Sequence, residues 1–104
     1  MEKKLTSMKI YYVNIRGYKS KQHTLELSVK EHQPDIIGIV ETHLEGNEKI
    51  KEIEGYKMMR NDRNNDGGGV AIAVKEKYMK YVIEGNKTQE VEESIWITMG
   101  TKKI

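Results

Sequence analysis

Apolar residues fall in short runs separated by polar and glycine-rich stretches, and each run predicts one element. Met8-Lys9-Ile10-Tyr11-Tyr12-Val13 is rich in β-branched and aromatic side chains, the composition of a strand, and it stops at Asn14. Arg16-Gly17-Tyr18 turns the chain. Ser20 is the expected N-cap of a helix running to about His32, with Leu25 and Val29 one turn apart on its core face and Leu27 off that stripe. Pro34 closes the helix, because the residue before proline avoids helical backbone. Asp35-Ile36-Ile37-Gly38-Ile39-Val40 is a continuous apolar run without alternation, which predicts a strand buried on both faces and ending at Glu41. Strand, helix, strand makes a βαβ unit with a right-handed crossover.

Further along, residues 47–54 fit either a short helix, with Ile50 and Ile53 inward and Gly55 ending it, or a short strand. Tyr56-Lys57-Met58-Met59-Arg60 alternates as a strand does. Residues 61–69 are dense in turn formers, and Val70-Ala71-Ile72-Ala73-Val74 follows as a second strand, so the two form a hairpin with a long loop. Residues 78–84 are expected to be a strand, Gly85-Asn86 a turn, and Ser94-Ile95-Trp96-Ile97-Thr98-Met99 a last strand. Residues 1–7 read as a disordered polar lead to a domain over residues 8–104.

Composition narrows the classes. The 104 residues bound a single domain with one modest core. The absence of cysteine excludes a disulfide framework and a cysteine-based zinc site. No stretch is long and apolar enough for a membrane span, and no signal peptide is visible behind Met1-Glu2-Lys3-Lys4, so no membrane partner is expected. Lys and Arg number 18 against 16 Asp and Glu, and a net charge of +2 does not announce a nucleic-acid binder.

Asn14 and Glu41 are the main candidates for chemistry. Each lies just past an apolar strand, and parallel strands would bring both to the carboxyl edge of the sheet, where open α/β sheets bind ligands. A carboxylate there suits a hard cation such as Mg²⁺, which takes one or two protein carboxylates and completes its shell with water and phosphate oxygens. Equally, Glu41 is the first solvated residue after a buried strand. His43, two residues on, could be a second ligand on the same strand face, but one His and one Glu do not specify a metal, and a loop histidine is the stronger reading. Gly67-Gly68-Gly69 precedes a strand rather than a helix, which excludes a phosphate-binding P-loop and leaves a hairpin turn tolerant of positive φ. Lys57, Arg60 and Arg63 form a small basic group at the hairpin, interspersed with Asp62 and Asp66. They read either as phosphate contacts or as a solvated loop. No Ser-His-Asp or Cys-His nucleophile arrangement is persuasive.

Several blocks in this order resemble the amino-terminal part of the endonuclease/exonuclease/phosphatase superfamily. They are Tyr12-Val13-Asn14-Ile15-Arg16-Gly17, Pro34-Asp35-Ile36-Ile37-Gly38-Ile39-Val40-Glu41-Thr42-His43-Leu44, Gly55-Tyr56, Arg60-Asn61-Asp62-Arg63 leading to Gly67-Gly68-Gly69-Val70-Ala71-Ile72, and Glu93-Ser94-Ile95-Trp96-Ile97. Within it, the likeness is to the apurinic-endonuclease-like domain of LINE-type (non-LTR) retrotransposons, and it runs from about residue 8 to 100. The resemblance implies the first half of a four-layered α/β sandwich and Mg²⁺- or Mn²⁺-dependent hydrolysis of phosphodiesters. It implies a metal-binding role for Glu41 and a role near phosphate and metal for Asn14. It makes Arg60 and Arg63 candidate nucleic-acid contacts and DNA the expected partner, with a nuclear location if this is a retroelement product. The family's later blocks (a tyrosine, an Asp-x-Asn pair, a further acid and a Ser-Asp-His block) have no counterpart here. The expectation is therefore a truncated endonuclease domain, inactive by itself and prone to self-association through exposed sheet edges. The alternatives are a non-catalytic module that binds nucleic acid or protein, and a remnant without activity.

Overall fold

The computed structural model describes residues 7–46, 48–62, 68–87 and 94–100. The expected lead over residues 1–6 and most of the hairpin tip, including Arg63, lie outside the described residues. The elements run β1 (Ile10–Asn14), α1 (Tyr18–His32), β2 (Ile36–Val40), β3 (Tyr56–Asn61), β4 (Val70–Lys75), a 3₁₀ helix (Glu76–Tyr81), β5 (Val82–Lys87) and β6 (Ile95–Met99). Four strands form one mixed sheet in the order β1-β2-β4-β3, and β5 and β6 pair as a separate antiparallel ribbon. The fold class is α/β, as the sequence predicts. No helix among the described residues is long and apolar enough to cross a membrane.

The expected βαβ unit is present, with β1 and β2 parallel and Asn14 level with Val40. β4 runs antiparallel to both β2 and β3, so its first residue, Val70, lies level with both Val40 and Asn61. The end of β1, the end of β2, the end of β3 and the start of β4 therefore share one edge of the sheet.

One face of that sheet carries the core. Ile37 and Ile39 of β2, Ala71 and Ala73 of β4, and Tyr56 and Met58 of β3 meet Leu25, Val29 and Tyr18 of α1. Tyr11 and Val13 flank this cluster. Tyr18 is fully buried, and that burial, reinforced by Glu26 and Glu52, pushes its hydroxyl pKa up to about 12. The hydroxyl donates to Lys51 O at 2.9 Å, so the buried polar group is satisfied.

The opposite face differs from the sequence expectation. The continuous run in β2 predicts burial on both sides, yet Ile36, Gly38 and Val40 are only half-buried while Ile37 and Ile39 are sealed. The physical reason is coverage: among the described residues α1 packs on one side, whereas the other meets the β5–β6 ribbon at its β3–β4 end. Asn61 Nδ2 donates to Ser94 O at 2.8 Å across that junction. A depression of about 300 Å³ remains, lined by Tyr12, Gly38, Val40, Ile72 and Trp96. Ile10, Tyr12 and Trp96 are each about two-thirds exposed there.

Three local expectations are corrected. The helix begins at Tyr18 with Gly17 as its cap, not at Ser20. Gly17 and Tyr18 donate their N–H groups to Glu41 O (2.9 Å) and Thr42 O (2.8 Å), a tertiary tie that starts the helix one turn early. Residues 48–53 form neither helix nor strand. Side chains satisfy much of this backbone instead: Gln22 Nε2 and Tyr18 OH both donate to Lys51 O, and an Arg60 guanidinium nitrogen donates to Glu48 O at 2.7 Å. The third correction concerns residues 78–84, whose first part is 3₁₀ helix. Gly85 and Asn86 lie inside β5, opposite Ile97 and Trp96, because strand pairing with β6 overrides their turn preference.

Candidate active site at the carboxyl edge of the sheet

The shared edge is laced together by main-chain hydrogen bonds. Ile15 N donates to Val40 O (3.0 Å), and the Gly17 and Tyr18 bonds follow it. On the other side of β2, Thr42 N donates to Gly69 O (3.2 Å) and His43 N to Gly68 O (2.8 Å). The loop after β2 is thus clamped between the β1–α1 turn and the glycine turn that precedes β4. That geometry explains the glycines better than a phosphate cradle does.

Within this clamp the structure brings Asn14 and Glu41 together, as the sequence reading requires. Asn14 Nδ2 donates to Glu41 Oε2. Glu41 Oε1 faces His43 Nε2 at 3.9 Å, and both side chains stay accessible, 45% and 39% exposed. The described chain has four non-glycine residues with positive φ, and three of them are here: Arg16 (48°), Glu41 (54°) and His43 (55°). The fourth, Gln33, is an ordinary left-handed helix cap, its N–H donating to Val29 O. Left-handed backbone costs a residue with a Cβ about 1–2 kcal/mol. Strain of this kind gathers where a site fixes its side chains.

Thr42 sits between the two strained residues and is buried, 1% exposed. Its Oγ1 has no hydrogen-bond partner among the described residues. A Cβ added at Gly69 would lie 2.4 Å from that oxygen, and Gly69 holds φ at +88°. Only glycine fits that position, for reasons of space and of backbone. Sequence reasoning assigned Thr42 no role, and the triple glycine beside it was the one signal of a close approach.

Arg60, a candidate nucleic-acid contact in the sequence, stands apart from the Asn14–Glu41 pair. The strand register puts it level with Ala71, on the helix-covered face, while Asn14 belongs to the opposite face. Its guanidinium is engaged by both carboxylate oxygens of Asp62 and by the carbonyls of Glu45 and Glu48. Arg60 is 18% exposed and Asp62 6%. A buried, forked pair of this kind anchors a loop. Glu48 braces the same loop, accepting from Glu45 N and Lys19 Nζ, and these bonds hold its carboxyl below the usual range.

No group of three or more potential ligands from His, Cys, Asp and Glu occurs among the described residues. Glu41 nonetheless fits a hard divalent cation. It supplies an accessible carboxylate with one oxygen already oriented by an amide, and Mg²⁺ asks no more of a protein than one or two such groups.

The fold recurs in solved nucleases and phosphatases. A 3′ phosphatase from Neisseria, bound to a product DNA hairpin, matches with a TM-score of 0.73 and 16% identity over 89% of this chain and 38% of its own. An AP endonuclease from Archaeoglobus fulgidus matches with a TM-score of 0.69 and 28% identity over 89% of this chain and 37% of its own. The chain spans a little over a third of the length of these two neighbours. No protein-family model matches the sequence, and no curated protein matches it. The described residues therefore form part of the nuclease-like α/β fold of the exonuclease, endonuclease and phosphatase proteins. That is the superfamily level of the resemblance seen in the sequence.

Proposed function

We propose that this chain supplies one half of a metal-dependent phosphodiester hydrolase site of the retroelement endonuclease type, acting on DNA. The observation that carries the reading is the Asn14–Glu41 hydrogen bond at the carboxyl edge of two parallel strands. Glu41 would hold a divalent cation, Mg²⁺ or Mn²⁺, which when bound stabilises the charge that develops on a phosphate in transfer. Asn14 does two things in this scheme. Its Nδ2–H fixes the carboxylate rotamer, and its amide would be available to a phosphate oxygen beside the cation. The clamp of Gly17, Thr42, Gly68 and Gly69 holds both side chains against thermal drift, which matters because misplacement by about 1 Å can cost 10²-fold in rate. Arg60 acts through the loop it pins rather than on phosphate.

These residues make an incomplete catalyst. Enzymes lower barriers by roughly 8–23 kcal/mol, and one well-placed electrostatic group contributes about 3–4 kcal/mol. No residue in the described cluster is placed to orient an attacking water. The 104-residue chain by itself is expected to bind the cation and to nick DNA at close to background rate.

The test is a Mg²⁺ and Mn²⁺ binding titration together with a nicking assay on plasmid and abasic duplex. Glu41→Gln is expected to abolish metal binding and leave folding intact by circular dichroism. Metal binding that ignores Glu41→Gln would overturn the reading, and robust Glu41-dependent nicking by the chain alone would overturn its incompleteness.

A further inference from the structure

We infer that His43 is a second ligand at the Glu41 cation position, giving the site a mixed oxygen–nitrogen donor set that prefers Mn²⁺ to Mg²⁺; this rests on the metal role proposed for Glu41. The carboxylate of Glu41 divides its two oxygens. Oε2 accepts from Asn14, and Oε1 is turned toward His43 Nε2 at 3.9 Å. That separation is too long for a hydrogen bond. Two adjacent ligands of an octahedral cation, each about 2.1 Å from it, stand about 3.0 Å apart. Closing the observed gap takes about 0.9 Å, a movement for side-chain torsions rather than for the braced main chain.

Main chain and packing set this arrangement up. Two residues apart in extended backbone, Glu41 and His43 would still project to one side, but here each is held in left-handed backbone with a buried Thr42 between them. The main chain is pinned on both flanks, by Gly17 against Glu41 O and by His43 N against Gly68 O. Gly17 lies beside the ring: an added Cβ there would meet His43 Nδ1 in ordinary van der Waals contact, at 3.7 Å. The outer nitrogen, Nε2, is the one that faces the carboxylate.

The chain contains its own control. His32 Nε2 also stands 3.9 Å from a glutamate oxygen, that of Glu31, yet those two are adjacent on an ordinary helix and 65% and 76% exposed. Distance alone therefore does not define the site. The Asn14 bond and the braced left-handed turns separate the two pairs. Imidazole binds first-row transition ions, Mn²⁺ the most weakly of them, whereas Mg²⁺ takes oxygen ligands, so a histidine in the donor set tilts the choice between these two toward Mn²⁺.

The experiment follows the imidazole protons of the three histidines by NMR while Mn²⁺ is added to the 104-residue chain. Substoichiometric Mn²⁺ is expected to broaden His43 selectively and to leave His23 and His32 sharp. In parallel titrations the wild-type chain is expected to bind Mn²⁺ at least about ten-fold more tightly than Mg²⁺, and His43→Ala to bring the two within about two-fold. Broadening of His32 as strong as that of His43, or an unchanged Mn²⁺ preference in His43→Ala, would overturn the inference. If His43→Ala fails to fold, His43→Gln replaces it in the titrations, and an unchanged Mn²⁺ preference there overturns the inference, because broadening alone reports nearness to the ion. Loss of all binding in Glu41→Gln with no His43 effect would leave the Glu41 reading standing and remove this one. Mn²⁺ binding that survives Glu41→Gln would remove the Glu41 reading itself.

Discussion

The two ends of the four-stranded sheet are built on opposite terms. At the amino end of β1 and β2, Asp35 gathers three segments with conventional bonds. Its Oδ2 accepts from Lys9 N (2.7 Å), its main-chain N–H donates to Lys9 O (2.7 Å), and its carbonyl accepts from Lys75 N (3.0 Å). Lys75 Nζ stands 3.8 Å from Oδ1, and the buried Tyr56 hydroxyl donates to Pro34 O beside it. Burial and the Asp35 charge raise the Tyr56 hydroxyl pKa, so it stays a donor. At the carboxyl end, three non-glycine residues sit in left-handed backbone and a buried threonine hydroxyl has no hydrogen-bond partner among the described residues. One end of the sheet gathers stability, and the other spends some of it to fix side chains.

Substitutions can break this contrast, and the largest expected effect is at the strained end. Gly69→Ala pushes a Cβ into Thr42 Oγ1 and strains the backbone, and is expected to lower stability by about 2–4 kcal/mol. Placing it in a Thr42→Ala background removes the clash and leaves the backbone part. Denaturant melts of the four proteins should show a coupling of about 1–2 kcal/mol; strict additivity would show that the two residues do not press on one another. Next in size, Asp35→Ala leaves Lys9 N and the Lys75 ammonium without their carboxylate. A loss of about 2 kcal/mol is expected, with metal binding unchanged. A change in metal affinity as well would show that the ends are coupled. The smallest effect has the opposite sign. Glu41→Gly relieves left-handed strain and should raise stability by about 0.5–1 kcal/mol while removing the cation site. A destabilised Glu41→Gly would mean that the Asn14 bond outweighs the strain.

The ribbon and the sheet differ in how far sequence pattern reaches. β1, β2, β3 and β4 are legible because apolar runs end at polar or glycine residues that no core can accept, and their bounds fall within two residues of the pattern. In β5 the pattern misleads: Gly85 and Asn86 favour a turn, and only the partner strand decides that they pair. The same limit applies around α1. Ser20 is the better cap on local chemistry, yet the helix starts earlier because Glu41 O and Thr42 O offer acceptors to Gly17 and Tyr18. For the candidate site, Asn14 and Glu41 were marked by their place after two apolar strands. Arg60 was marked by its charge as a candidate nucleic-acid contact, and only the strand register shows that it lies on the helix-covered face.

What the sequence by itself determined, then, is the set of strands, the single long helix and the two polar residues that end the parallel pair. These follow from local terms: apolar periodicity, proline and the cost of burying a charge. Tertiary structure decided the rest. It chose which face α1 covers, tied the β2 loop to the glycine turn, and forced Arg16, Glu41 and His43 into left-handed backbone. Those outcomes depend on hydrogen bonds and close contacts between residues 24 or more positions apart, such as Gly17 with Glu41 O and Thr42 with Gly69, and no short window along the chain contains both partners.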